Sequence, residues 1–233
     1  MKILALDCSE GPASCAVVED GKILCESFVS VPLTHSRTLI PMLTDMLKNA
    51  GLSVGEMDRL AVTVGPGSFT GLRIGVAAVK GLALGADLPC VGVSTPGAAA
   101  MSAVSLSGLI CPVMDARCRQ VYTALFEAKE GALTRIWEDR AVSVDDLAAA
   151  LQEATAARPD LPLWLTGNGV PAVEDVLAPL GARPAPLTLR SQRASAVALL
   201  AADAEPVDAS ALTPVYLRLP QAERELKRKL EQQ

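Results

Sequence analysis

The sequence has few of the residues on which most enzyme active sites depend. Its 233 residues include one histidine, His35. Metal sites, imidazole acid–base catalysis and Ser-His-Asp triads all use histidine, so its scarcity disfavours these three classes. The six cysteines form no CxxC pair, and most of them stand in apolar runs. This pattern is typical of small buried thiols in a reducing compartment.

The sequence also lacks the usual features of nucleic-acid-binding and membrane-spanning chains. Aromatic residues make up only 3% of the chain, and the formal net charge is −5. Neither a set of stacking aromatic side chains nor a basic face is therefore indicated. No run of about 18 uncharged apolar residues occurs, and Asp7 interrupts the first apolar run too early for a signal peptide. We expect a soluble, cytoplasmic protein that contacts no membrane.

What is present is sufficient for a folded core, since 50% of the residues are hydrophobic. Three short apolar runs predict three strands, at residues 3–7, 13–19 and 23–29. Helices and strands then alternate, and the pattern restarts near residue 98. This order predicts an α/β fold with two similar halves, residues 1–97 and 98–218, followed by a charged tail at 219–233.

Two long helices are predicted in the first half. The first ends near Asn49 and begins after either Thr34 or Thr38. The first choice leaves Pro41 inside the helix, whereas the second places it in the first turn. The other helix covers about residues 68–84, with glycine at its end.

Asp7 and Ser9 form a candidate phosphate-binding turn. Asp7 ends the first predicted strand, and a turn of mainly small residues follows it. Backbone N–H groups in such a turn can hold an anion, and the carboxylate can hold a metal-bound water. However, Glu10 adds a negative charge to the turn and Pro12 removes an N–H donor. The alternative is an ordinary strand turn capped by Asp7.

The most unusual segment is GPGSFTGLRIG, at residues 65–75. It lacks the Gly-Lys-Ser/Thr ending of a P-loop, and its glycine spacing does not match the dinucleotide-binding fingerprint. An anion site at the start of the following helix, capped by Ser68 or Thr70, is still compatible with it. Each glycine inside a helix costs about 1 kcal/mol relative to alanine. Close packing within the chain and contact with a second chain are both compatible with this composition.

His35 has no second ligand at helical spacing. A metal pair on one helix face would need a ligand at position 38 or 39, and these positions hold Thr38 and Leu39. We therefore predict no metal site, and expect His35 to cap the helix or to make a hydrogen bond at the surface.

Several segments resemble the TsaB family, also called YeaZ. They are KILALD (2–7), HSR (35–37), GPGSFTGLRIG (65–75), GLALG (81–85), GVST (92–95), DAR (115–117) and PVYLR (214–218). They follow the expected order over nearly the whole chain, and the segment at 65–75 is highly specific. The resemblance implies the two-lobed α/β fold of actin and sugar kinases (the ASKHA fold), in which each lobe is a mixed sheet flanked by helices.

The resemblance also implies a function. The family takes part in making N6-threonylcarbamoyladenosine in bacterial tRNAs that read codons beginning with A. Its paralogue TsaD transfers the threonylcarbamoyl group, and the ATPase TsaE joins them. We expect a scaffold that binds TsaD and TsaE, forms a homodimer when alone and meets tRNA only through the complex. No cofactor is expected for the chain itself, and ATP or ADP only within the complex.

The resemblance also predicts that this chain lacks the catalytic metal site of TsaD. TsaD-type catalysis depends on an HxxxH metal pair, whereas His35 is followed four residues later by Leu39. We therefore expect an inactive paralogue. The alternative is a stand-alone ATP-dependent kinase or ATPase of the same fold. It would use Asp7 and Ser9, with the Gly167-Asn168-Gly169 turn as its second phosphate loop.

The partner surface is expected on the first two helices. Gly71 and Gly75 lie one turn apart, and Ala78 and Leu82 continue their stripe. Such a stripe permits close approach between helices, and in the family two such faces form a four-helix bundle that joins TsaB to TsaD. If Gly75 faces outward, a bulky residue there should block association and leave the chain folded. If it faces inward, the glycine stripe serves packing within the chain. The predicted interface residues are His35, Leu39, Leu43, Gly71, Gly75, Ala78 and Leu82.

Overall fold

The computed structural model describes residues 1–31 and 34–218. The predicted charged tail, 219–233, lies outside the described residues. The strands are β1 (Lys2–Asp7), β2 (Ala13–Glu19), β3 (Lys22–Val29), β4 (Arg59–Gly65), β5 (Cys90–Ser94), β6 (Gly108–Asp115), β7 (Gln120–Lys129), β8 (Ala132–Ser143), β9 (Leu163–Thr166) and β10 (Arg183–Pro184). The α-helices are α1 (His35–Ala50), α2 (Phe69–Ala86), α3 (Thr95–Ser102), α4 (Val144–Ala156), α5 (Glu174–Leu177) and α6 (Ala194–Ala201).

The strands form two mixed sheets with matching connectivity. Their orders are β3-β2-β1-β4-β5 and β10-β9-β6-β7-β8. The middle strand of each sheet, β1 or β6, pairs antiparallel with the next strand along the chain. It pairs parallel with a later strand, β4 or β9. The predicted α/β fold of two similar halves is confirmed.

Residues 3–6 of strand β1 are all apolar, because both faces of its sheet are covered. Leu4 and Leu6 pack into a core shared with α1 and α2. Ile3 and Ala5 point to the other face, where they pack against α6. Successive side chains of a strand point to opposite faces, so a strand covered on both sides reads as a continuous apolar run. The C-terminal end of β1, at Asp7, is thereby fixed between two helical layers.

Helix α6 packs on the first sheet, although it lies within residues 98–218. It follows the second sheet in the chain. Its buried side chains, including Ala194 and Val197, pack instead with Ile3 and Val91 of the first sheet. A short alanine-rich helix marks its own apolar character but not which sheet will cover it. The boundary at residue 97 itself stays a prediction.

Helices α1 and α2 start where one of the two predicted alternatives placed them. Helix α1 begins after Thr34, so Pro41 lies within it. Helix α2 begins after Ser68, whose hydroxyl accepts a hydrogen bond from the Gly71 N–H at 3.2 Å. The side-chain oxygen therefore satisfies one of the free N–H groups of the first turn.

Helix α2 is rich in apolar residues. Within the described residues it is the one helix long and apolar enough to cross a membrane, and 33% of it is buried. A single helix of this kind is a weak indication of a membrane span, since core helices of soluble proteins share its composition.

Candidate functional site at the end of strand β1

Asp7 lies fully buried at the end of β1. Its Oδ1 accepts hydrogen bonds from the Ser9 N–H at 3.2 Å, the Ser9 hydroxyl at 2.6 Å and the Thr63 hydroxyl at 2.5 Å. Its Oδ2 has no hydrogen-bond partner in the part of the chain that the structure describes. Burial is the main cause that raises the pKa of this carboxyl above its ordinary value. The bonds to Ser9 are those of a capped strand turn.

Ser9 is held by residues far away in the chain. Its hydroxyl accepts a hydrogen bond from the Gln192 side-chain amide at 3.1 Å, and both side chains are buried. Its carbonyl accepts one from the Ser68 N–H at 2.7 Å, at the start of α2. Sequence reasoning missed Gln192, because no spacing pattern relates it to a turn 183 positions earlier. The polar groups of Asp7 and Ser9 are thus largely used within the chain.

Glu10 is the second buried carboxyl of this turn. Glu10 is 7% exposed, and its Oε1 has no hydrogen-bond partner among the residues that the structure describes. Burial is the main cause that raises the pKa of Glu10 to about 8, and the negative charge of Asp7 is the second. Asp115, at the end of β6, makes a smaller contribution in the same direction. Glu10 is therefore mainly protonated at neutral pH, and the ends of the two middle strands lie close enough to interact.

His35 makes a partly buried hydrogen bond to the turn after β1. Its Nε2 lies 2.7 Å from the Glu10 carbonyl oxygen, which can only accept, so this ring nitrogen carries the proton. Four residues later, Leu39 is buried in the core. Among residues 1–31 and 34–218, no group of three or more His, Cys, Asp and Glu side chains is arranged to hold a metal ion.

The first two glycines of α2 pack against the turn after β1. A Cβ added to Gly71 would lie 2.0 Å from the Cys8 carbonyl oxygen. One added to Gly75 would lie 3.0 Å from the Cys8 Sγ and 3.2 Å from Val62 Cγ2. The Cys8 thiol also donates a hydrogen bond to the Gly71 carbonyl at 3.1 Å. Gly75 therefore faces inward, and both glycines serve packing within the chain.

The other predicted interface residues are not fully exposed either. Leu39 and Leu43 belong to the core beneath α1 and α2. His35, Ala78 and Leu82 are half-buried. Of the exposed residues of α2, Thr70 and Arg73 lie in its first two turns. The other four form a different stripe, which we call the outer stripe: Ala77, Gly81, Leu84 and Gly85. Leu84 is 75% exposed, and a Cβ on Gly81 or Gly85 would meet nothing within 4 Å.

The glycine turn at 167–169 is packed against its own sheet. A Cβ on Gly167 would lie 2.3 Å from the Val113 carbonyl oxygen, and one on Gly169 would lie 2.9 Å from the Asp115 nitrogen. The Asn168 side-chain oxygen accepts a hydrogen bond from that same N–H at 2.8 Å. These contacts account for the glycines by close approach to β6, without a phosphate ligand.

Comparison with known proteins identifies the family. The family model of TsaD, the tRNA N6-adenosine threonylcarbamoyltransferase, matches residues 31–223. The tRNA threonylcarbamoyladenosine biosynthesis protein TsaB of Bacillus subtilis strain 168 is 32% identical over 227 residues, 96% of each chain. YeaZ from Pseudomonas aeruginosa has a TM-score of 0.75 at 26% identity, over 93% of this chain and 99% of that one.

A more distant structure shares the fold alone. Component A of the (R)-2-hydroxyglutaryl-CoA dehydratase from Acidaminococcus fermentans has a TM-score of 0.50 at 14% identity, over 86% of this chain and 97% of that one. This likeness agrees with the two-lobed fold implied by the resemblance, and with two mixed sheets of matching connectivity. The full-length match to TsaB carries the identification further. The chain belongs to the TsaB (YeaZ) family of tRNA threonylcarbamoyladenosine biosynthesis proteins.

Proposed function

We propose that the chain is a non-catalytic subunit of the tRNA N6-threonylcarbamoyladenosine synthesis complex, and that it binds a TsaD-type transferase through the outer stripe of α2. The observation that carries this proposal is the exposed stripe itself, in which Leu84 stands between Gly81 and Gly85. TsaE joins the complex, a second copy of the chain occupies the stripe when TsaD is absent, and tRNA is met through the complex in the cytoplasm. Any ATP or ADP binds within the complex.

The chemistry of the turn after β1 supports a non-catalytic role. A TsaD-type metal pair needs two histidines, and this sequence has one. The Nε2–H group of this histidine donates a hydrogen bond to the Glu10 carbonyl. Asp7 Oδ1 accepts three hydrogen bonds from Ser9 and Thr63. Groups engaged in this way are poorly placed to hold phosphate or to move a proton.

The outer stripe has the shape that a partner helix needs. Gly81 and Gly85 present backbone without side chains, so a second helix can approach closely beside them. Leu84 stands between them and is 75% exposed. Complete burial of a leucine side chain contributes about 1.5–3 kcal/mol. A partner that covers this stripe therefore gains most from Leu84.

The test is a charge placed at Leu84. In Leu84→Glu, co-elution with the TsaD of the same organism should be lost, because the carboxylate would have to be buried. The melting temperature should not change, since the side chain is exposed. Leu187→Glu is the matched control: Leu187 is 79% exposed and lies on the second half, so this variant should retain TsaD.

Two results would contradict the proposal. One is a Leu84→Glu variant that co-elutes with TsaD as well as the unaltered chain does. The other is ATP turnover by the isolated chain that Asp7→Asn abolishes, which would indicate an enzyme rather than a binding subunit.

A further inference from the structure

After α6 the chain runs back along the first sheet and then reaches β6 and β7 of the second sheet. Residues 209–218, which we call the strap, begin in the core beneath α2, where Ala209 and Leu212 are buried. The Lys80 ammonium group, on α2, donates hydrogen bonds to the Ser210 and Leu212 carbonyls, both at 3.1 Å. The first part of the strap is therefore fixed to the first half.

The middle of the strap fits against glycines of the first sheet. The Val215 N–H donates a hydrogen bond to the Val64 carbonyl at 2.7 Å. A Cβ on Gly65 would lie 2.3 Å from the Val215 carbonyl oxygen, and one on Gly92 would lie 3.3 Å from Leu212 Cδ1. The first glycine of the segment at 65–75 thus makes room for the strap.

Tyr216 attaches the strap to the start of α2. Its ring stacks on that of Phe69, with centroids 4.4 Å apart and planes 14° apart. Its hydroxyl accepts a hydrogen bond from Arg73 Nε at 2.9 Å. A stacked aromatic pair of this kind contributes about 0.5–1.5 kcal/mol beyond the area that it buries.

The next two residues bind the second half. Leu217 packs against Met114, Ala116 and Tyr122, which belong to β6, β7 and the turn between them. Arg218 donates a hydrogen bond from Nη1 to the Ala116 carbonyl. Three consecutive residues, 216–218, therefore join the start of α2 to the β6–β7 hairpin.

From these contacts we infer that the strap is a latch, which holds the β6–β7 hairpin against the start of α2 and restrains the two halves relative to each other. Ser94 also joins the halves, since its hydroxyl donates to Asp139 at 2.6 Å and accepts from Arg135 at 3.1 Å. Release of the latch therefore loosens the hairpin and widens the separation of the halves on its side, while both cores stay folded.

The experiment uses the full chain with Tyr216→Ala and Arg218→Ala combined. Hydrogen exchange of the β6–β7 hairpin should become about tenfold faster, while the amides of β1 and β4 should exchange as before. Thr213→Ala, at an exposed position of the same strap, is the matched control and should leave both unchanged. A second measurement is the distance between two spin labels, one on the exposed native Cys118 and one on Asp87→Cys, with Cys25 replaced by serine. In the double variant this distance should become longer and its distribution broader.

Equal hairpin exchange and equal label distances in the folded double variant would overturn the inference. Should the double variant fail to fold, Arg218→Ala alone decides, because it removes only the hydrogen bonds to the Ala116 and Arg117 carbonyls. The hairpin should then exchange faster while the melting temperature stays close to that of the unaltered chain. Unchanged exchange in this single variant would equally overturn it.

Discussion

Helix α2 carries two pairs of glycines with the same spacing and opposite surroundings. Gly71 and Gly75 press against Cys8, whereas around Gly81 and Gly85 there is open space. Residues four apart share a helix face, but the six residues from Gly75 to Gly81 turn the face by roughly 240°. One pair therefore brings the helix close to the turn after β1, and the other leaves a bare surface.

The difference teaches what a glycine spacing can and cannot indicate. It identifies residues that share a face, but the same spacing serves packing at one end of α2 and exposure at the other. The deciding element at the buried end is the Cys8-Ser9-Glu10 turn, which is distant in sequence. The same substitution, glycine to alanine, should therefore have opposite effects on stability at the two ends of α2.

The largest effect is expected from Gly71→Ala. The added methyl would meet a backbone carbonyl oxygen at 2.0 Å, and this oxygen cannot move unless the turn after β1 moves with it. We expect the free energy of unfolding to fall by about 3 kcal/mol or more. Urea denaturation measures this loss.

A small change in the urea midpoint of Gly71→Ala would contradict this account of the buried end. It would mean that α2 can shift away from Cys8 at little cost. The contrast between the two glycine pairs would then disappear.

A second prediction concerns the charge at the buried end. The pKa of Glu10 is about 8 in the folded chain, against an ordinary value of 4.5. Folding therefore favours the protonated form, so its contribution to stability is complete below about pH 4.5 and is lost as the pH rises through about 8. Glu10→Gln cannot ionise and should lack this loss.

Denaturation measured from about pH 5 to about pH 9 tests this dependence. The unaltered chain should lose stability over this range, and Glu10→Gln should lose less. Glu153→Gln, which replaces an exposed carboxylate on α4, should follow the unaltered chain. Parallel curves for Glu10→Gln and the unaltered chain would mean that Glu10 is already hydrated and ionised in the folded state.

Local patterns predicted much of the fold. Short apolar runs predicted β1, β2 and β3, and cap residues limited the start of α2 to Ser68 or Thr70, because both signals depend on neighbours in sequence. The position of α6 and the path of the strap could not be predicted in this way. Each depends on which distant surface covers a short apolar segment.

The candidate site was predicted only in part. The turn with Asp7 and Ser9 was identified from its small residues after a strand, but its internal hydrogen bonds were not. They depend on Thr63 and Gln192, which reach Asp7 and Ser9 from β4 and from the loop before α6. No periodicity links these positions, so their convergence follows from the tertiary fold alone.

The smallest expected effect lies at the open end of α2. Gly81→Ala should stabilise the isolated chain by about 0.5–1 kcal/mol, because alanine loses less backbone entropy than glycine in a helix. Nothing within 4 Å opposes the added methyl, and the same holds at Gly85, so Gly85→Ala should behave alike. Thermal melting measures both. A loss of stability in either variant would mean that this face is covered within the chain. A gain in stability together with weaker TsaD binding in Gly81→Leu would show that glycine is kept there for close approach of a partner, at a cost to the isolated chain.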